Sequence, residues 1–132
     1  MAKLKIGVIG VGSLGQHHAR VLAELPQVEL AGVSDISESR AAEIAGRHKV
    51  PFFTDHRDLL KQVDAVCIAV PTILHFKIAK DALAQGRHVL VEKPITATVA
   101  QAQELIALAE QKKLKLQVGH IERFTPAFKA AA

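Results

Sequence analysis

Short runs rich in β-branched residues alternate with longer stretches of helical spacing along this chain. The runs cover positions 5–9, 29–34, 50–53, 65–70, 88–92 and 115–119, and most are almost unbroken in apolar residues. Such runs predict strands covered on both faces, because a strand with one wet face alternates polar and apolar positions. Between them, helical patterns span 13–25, 38–47, 55–62, 73–85 and 98–112. In the last, Val99, Ala102, Leu105, Ile106 and Ala109 fall on one predicted apolar stripe. Gly46 and Gly86 stand where two helices should stop, since glycine closes a last turn without steric cost. Alternating strands and helices predict parallel strands joined by right-handed crossovers, hence an α/β doubly wound parallel sheet of about six strands.

The turn between the first run and the first helix carries the clearest chemistry. Gly10-Val11-Gly12-Ser13-Leu14-Gly15 fits G-x-G-x-x-G, follows a strand and opens a helix, which is the context the pattern requires. Gly10 makes the tight turn, Gly12 lets a pyrophosphate approach the backbone, and Gly15 lets the helix pack close. Ser13 and Leu14 then turn unpaired N–H groups and the positive end of the helix toward the phosphates. Asp35, followed by Ile36, ends the second strand 20 residues beyond Gly15. That is the spacing of an acid that holds the hydroxyls of an adenine ribose, and a helix-capping role is compatible with it. A carboxylate there repels the 2′-phosphate of NADP, so NAD is the expected cofactor. NADP is the alternative, because Ser37 and Arg40 are near enough in sequence to offer a phosphate contact. A methyltransferase also pairs a glycine-rich turn with an acid, but commonly carries an acidic residue just before the glycines, where this chain has Val8-Ile9. No G-x-x-x-x-G-K-[ST] is present, which excludes a P-loop.

Composition narrows the classes. The 132 residues fit one domain, and a 49% hydrophobic content supplies a sizeable core. The net charge of +4 makes nucleic acid worth testing as a partner. The longest basic run is Lys112-Lys113 and there is no Trp or Tyr to stack bases, so no nucleic-acid partner is expected. Cys67 is the sole cysteine and lies in an apolar run, which reads as a core position in a reducing compartment. The apolar start is punctuated by Gly7, Gly10, Gly12 and Gly15, unlike a signal peptide, and no apolar stretch spans a bilayer. The chain therefore reads as cytoplasmic, without a membrane partner. No metal is expected: His17 and His18 are adjacent on a helix and diverge, and His48, His56 and His88 have no ligand partners in register.

Three further segments follow strand runs, where ligands of open α/β sheets bind. They are Val70-Pro71-Thr72-Ile73-Leu74-His75, Val91-Glu92-Lys93-Pro94 and Gly119-His120-Ile121-Glu122-Arg123-Phe124. Pro71 and Thr72 read as turn and helix cap, with Thr72 also in reach of a cofactor. From spacing alone, Lys93 is either a strand-end surface lysine or a proton acceptor beside a nicotinamide, whose positive charge favours a neutral amine.

With the glycine turn, Asp35, the segment Pro71-Thr72 to His75, Glu92-Lys93-Pro94 and Arg123-Phe124-Thr125-Pro126, the chain resembles the Gfo/Idh/MocA family of oxidoreductases over essentially its whole length. The resemblance implies a dinucleotide-binding Rossmann domain over residues 1–119. Residues 120–132 would start the connection to a C-terminal α/β substrate domain that is absent from this chain. The chain then looks truncated and inactive alone, and the full-length protein is expected to be a homo-oligomer.

By the same resemblance, Lys93 would be catalytic and touch the substrate, and Glu92 and Pro94 would shape the cofactor site. Val70, Pro71, Thr72 and His75 would line it. His120 would face the nicotinamide or merely cap the sheet. Arg123 would bind a substrate anion or pair with an acid of the missing domain. The stretch Gly119–Phe124 is similar to that of members acting on UDP-amino sugars. The implied reaction is hydride transfer between the nicotinamide and a hydroxyl-bearing carbon of a sugar, polyol or sugar nucleotide. The alternatives are a non-catalytic NAD-sensing module and a methyltransferase-like domain.

Overall fold

Strands without a polar face need cover on both sides, and the fold supplies it. The computed structural model describes residues 3–92 and 95–119. Its elements are β1 (Leu4–Ile9), α1 (Ser13–Glu24), β2 (Val28–Ser34), α2 (Glu38–His48), β3 (Phe52–Phe53), α3 (His56–Leu60), β4 (Ala65–Ile68), α4 (His75–Ala84), β5 (His88–Val91), α5 (Val99–Lys112) and β6 (Leu116–Val118). A 3-10 turn, Thr72–Leu74, leads into α4. The strands form one parallel sheet in the order β3-β2-β1-β4-β5-β6. The order reverses between β1 and β4, and the cleft at their carboxyl ends is where such sheets bind ligands.

Successive residues of β4 and β5 feed two separate cores. Ala65, Cys67 and Leu90 pack with Ala19 and Leu22 of α1 and Ile44 of α2. Val66, Ile68, Val89 and Val91 pack with Leu59 and Leu60 of α3, Ile78 and Leu83 of α4 and Leu105 of α5. That period of two, with apolar residues on both phases, is why the strand runs are continuous rather than alternating. Among the described residues no helix is long and apolar enough to cross a membrane.

Three expectations about the helices need correction. The apolar stripe of α5 is narrower than the spacing implied. Leu105 and Ala109 are buried and Leu108 packs beside them, whereas Val99 and Ile106 are exposed. Helix α5 lies at the edge of the sheet and covers it with one narrow face. Gly46 does not end α2; the helix continues to His48 and Lys49 adopts the left-handed cap conformation at φ 56°. Gly86, at φ 79°, does follow the end of α4. The helical pattern expected from residue 73 begins as a 3-10 turn, in which Leu74 N donates to Pro71 O, before α4 proper starts at His75.

The amino edge of β5 carries a titratable group. His88 is half-buried, and its Nδ1 accepts a hydrogen bond from Lys115 N at 3.0 Å. Burial pushes its pKa below 6.5, opposed by the Asp64 carboxylate and aided by the Lys115 charge. In the pH window just below 6.5 the unfolded chain binds a proton that the folded chain resists, so stability is lost as pH falls through it. His88→Asn keeps an acceptor near the Nδ1 position and removes the titration. Its melting temperature is expected to fall less between neutral and mildly acidic buffer than that of the unaltered chain. Equal falls would mean that His88 is not a source of acid sensitivity.

Candidate dinucleotide site

At the carboxyl end of β1 the chain must reverse at once into α1, and the backbone does so through Gly10 at φ 89°. A Cβ there would lie 2.6 Å from the carbonyl oxygen of Ala69, in the neighbouring strand connection. One turn into α1, a Cβ on Gly15 would fall within the carbonyl oxygen of Gly10, so the helix sits directly on the turn that launches it. Gly12 differs from both. Among the described residues, and leaving aside its chain neighbours, the only atom within 4 Å of where its Cβ would be is Arg40 Nη1, at 3.4 Å. The protein's own packing therefore leaves open space at Gly12.

Asp35 holds this turn in place. Its Oδ2 accepts from Val11 N at 2.9 Å and its Oδ1 from Ser37 N at 2.8 Å. The expected cap-like role is present through the second of these bonds, and Ser37 is the residue that caps α2, accepting from Arg40 N. The first bond ties the end of β2 to the glycine turn. Gly10 N donates to Ser34 O at 2.8 Å, a second tie between the same two segments. Helix α1 has no side-chain cap and no acid in its first turn, which leaves its leading N–H groups for an anion.

A groove of ≈ 420 Å³ opens beside this turn. Its lining includes Gly10 and Gly12 from the turn, Asp35, Ile36, Ser37 and Arg40 from the end of β2 and the start of α2, and Val70, Pro71 and Leu74 from the segment after β4. Thr54 and His56 also line it, and His56 Nε2 lies 2.8 Å from Asp81 Oδ2. Of the expected cofactor residues, Gly10, Gly12, Asp35, Ile36, Val70 and Pro71 are thus brought together. Ser13, Leu14 and Gly15 form the first turn of α1 next to them. Thr72 opens the 3-10 turn just beyond Pro71.

His75 takes a different position. It is 2% exposed, and its Nε2 lies 2.9 Å from the Val70 carbonyl oxygen, so it braces the turn from inside the protein. Glu92 is not among the residues that line the groove, and its Oε1 lies 2.9 Å from His18 Nε2. Lys93, Pro94, His120 and Arg123 lie outside the described residues. Thr54 and His56 were not anticipated, and Leu74 was named only as part of the segment that follows the fourth strand run. Applying the strand-end rule to the short β3 as well would have found Thr54 and His56. Among the described residues no cluster of three metal-binding side chains exists.

These residues fit a dinucleotide: an uncapped helix start and open space at Gly12 for the pyrophosphate, and a backbone-tethered carboxylate for the ribose. Comparison with known proteins agrees. The model of the oxidoreductase family with an NAD-binding Rossmann fold, Gfo/Idh/MocA, matches residues 4–120. UDP-N-acetylglucosamine 3-dehydrogenase of Acidithiobacillus ferrooxidans is 44% identical over 127 residues, covering 96% of this chain and 40% of that protein. Its solved structure superposes with a TM-score of 0.86, covering 99% of this chain and 43% of that one. GenD2 from gentamicin A biosynthesis, solved in complex with NAD, gives a TM-score of 0.86 at 34% identity over 90% of this chain and 35% of that one. Scyllo-inositol dehydrogenase of Lactobacillus casei, solved with NAD(H) and scyllo-inositol, gives 0.85 at 28% identity over 98% and 40%. The 132 residues thus span roughly two fifths of these relatives' lengths. The chain belongs to the Gfo/Idh/MocA oxidoreductase family and carries its NAD-binding Rossmann fold.

Proposed function

We propose that the chain supplies the cofactor half of an NAD-dependent dehydrogenase that oxidises a hydroxyl-bearing carbon of a nucleotide-activated amino sugar, with UDP-N-acetylglucosamine the first candidate. The observation that carries the NAD assignment is the double tether of Asp35, a groove-lining residue whose carboxylate accepts from Val11 N and Ser37 N. Both oxygens keep a further lone pair for a ribose hydroxyl. The substrate class rests on the 44% identity to a UDP-N-acetylglucosamine 3-dehydrogenase and on the segment Gly119–Phe124. The same reading gives a cytoplasmic protein that works as a homo-oligomer at full length, without nucleic-acid or membrane partners.

When bound, NAD supplies the hydride acceptor. This chain's residues hold the cofactor and take part in the proton transfer. The leading amides of α1 take the pyrophosphate charge, and Gly12 leaves it room. Asp35 orients the adenosine ribose. Lys93 receives the proton of the reacting hydroxyl, and Arg123 contributes to the substrate's anionic groups.

The test is turnover of UDP-N-acetylglucosamine with NAD by the full-length protein, followed through NADH formation. Lys93→Ala is expected to lower kcat by ~10²–10⁴-fold, the usual worth of a positioned proton acceptor, while calorimetric NADH binding is unchanged. Full activity in that variant would remove Lys93 from the reaction and favour a cofactor-sensing role.

A further inference from the structure

The glycine turn and Asp35 account for only part of the groove. Thr54 and His56, after β3, line it as well, together with Leu74 and Ile78. In the sheet, β2 stands between β1 and β3. The adenine is the next group of the dinucleotide beyond the ribose. With the pyrophosphate at the end of β1 and the ribose at the end of β2, the base is carried on toward the residues that follow β3.

The side chains there suit a flat apolar ring. Ile36 is 94% exposed and Leu74 40%, and both line the groove. Large apolar side chains left to water gain from being covered. His56 offers an aromatic ring to the same occupant, and that ring is held. Its Nε2 lies 2.8 Å from Asp81 Oδ2, a half-buried hydrogen bond that joins the first residue of α3 to α4. A carboxylate only accepts, so Nε2–H is the donor. Nδ1 lies 4.0 Å from Asp55 Oδ1, too far for a hydrogen bond. Asp81 itself does not line the groove. A bond that served only to staple α3 to α4 would not need a ring that also lines the groove.

We propose that His56 is the side chain on which the adenine of the cofactor packs, and that Asp81 is a positioning residue that holds the ring for it. The inference rests on the dinucleotide reading of the groove and deepens it by assigning the base end. A ring fixed before binding has little rotamer freedom left to lose when the base arrives.

The experiment is isotope-filtered NOE spectroscopy on the isotope-labelled chain with unlabelled NADH, with affinity measured in parallel by calorimetry. Cross-peaks are expected between the adenine ring protons and the His56 imidazole, and none between the nicotinamide protons and that ring. His56→Ala is expected to bind NADH ~10-fold more weakly, the scale of one base stacked on an aromatic side chain. Asp81→Ala is expected to lose the His56 cross-peaks and to weaken binding. Asp81→Asn, whose amide oxygen can accept the same bond, is expected to restore both. NADH bound with adenine cross-peaks only to other side chains overturns the proposal and leaves the cofactor assignment standing. Undiminished His56 cross-peaks in Asp81→Ala, or no recovery in a folded Asp81→Asn chain, overturn the positioning role. Failure of the unaltered chain to bind NADH defeats the dinucleotide reading, and this proposal with it. The first measurement needs no substitution, so a variant that fails to fold does not remove the test.

Discussion

Gly12→Val is expected to lower the affinity for NADH by ~100-fold or more, equivalent to about 2.7 kcal/mol, with little loss of stability. The asymmetry follows from what surrounds the three glycines of the turn. At Gly10 and Gly15 an added carbon meets backbone carbonyl oxygens that cannot move without shifting a strand connection or a helix. At Gly12, among the described residues, it meets only the tip of Arg40, a long exposed side chain free to swing away. Nor does the backbone there demand glycine, since φ is −70°. The added volume therefore falls on the space kept for the pyrophosphate. The fold loses at most the ~0.5–1 kcal/mol of a poorer helix cap, a melting shift of a few degrees. Calorimetry with NADH and a thermal melt check the two halves separately. Unimpaired NADH binding would mean that the dinucleotide does not approach the backbone at this turn. Gly10→Ala makes the contrast, and is expected to destabilise the domain itself.

Asp35→Ala is the second large effect. It removes two hydrogen bonds from backbone amides to a charged acceptor, each worth ~1.5–3 kcal/mol, and with them the tie that shapes the turn. NADH affinity is expected to fall by ~10–100-fold, taking one such bond's worth as lost to binding. The preference over NADPH should fall too, because the carboxylate that repels a 2′-phosphate is gone. At ~4 Å that repulsion is worth ~1–4 kcal/mol depending on screening, or ~5-fold to ~1000-fold in discrimination. Asp35→Asn separates the two roles. Its one amide oxygen can keep a single tether while the charge disappears, so it should lose discrimination more than it loses affinity for NADH. If Asp35→Asn still favours NADH as strongly as the unaltered chain, the preference arises from shape on the Ile36 and Arg40 side of the groove.

Much of this was legible in the chain because short-range rules govern it. The strand runs showed themselves by lacking a polar phase, and the pairing of β4 and β5 residues with opposite cores is the reason. The glycine turn and Asp35 were readable because their spacing is set by one strand, one helix and one further strand. What escaped was contact between residues far apart in sequence. Asp35 was read for its reach toward a ribose, yet its bond to Val11 N spans two elements that only the parallel pairing of β1 and β2 brings together. His18 meets Glu92 across four strands' worth of chain, and adjacency to His17 gave no hint of it. His75 was assigned to the cofactor by the family resemblance, and the helix it begins turns it inward to Val70. In α5, spacing alone could not tell that an edge helix covers the sheet with Leu105, Leu108 and Ala109 and leaves Ile106 to solvent.

The strand order also governs how the domain comes to be made. Strand β1 is the first to emerge during synthesis and ends up in the interior of the sheet, between β2 and β4. Its pairing with β2 closes early, through α1. Its other edge, Ile6 to Ile9, stays open until Ala65–Ile68 has been made, more than half a hundred residues later. Through that interval the nascent chain presents an apolar strand edge with unpaired amides, the surface on which strands of different molecules add to one another. Closing so long a loop is slow relative to local helix formation. Folding yield at high expression should therefore depend on how quickly β4 arrives, and a chaperone that shields the β1 edge should raise it more than one that acts after synthesis is complete.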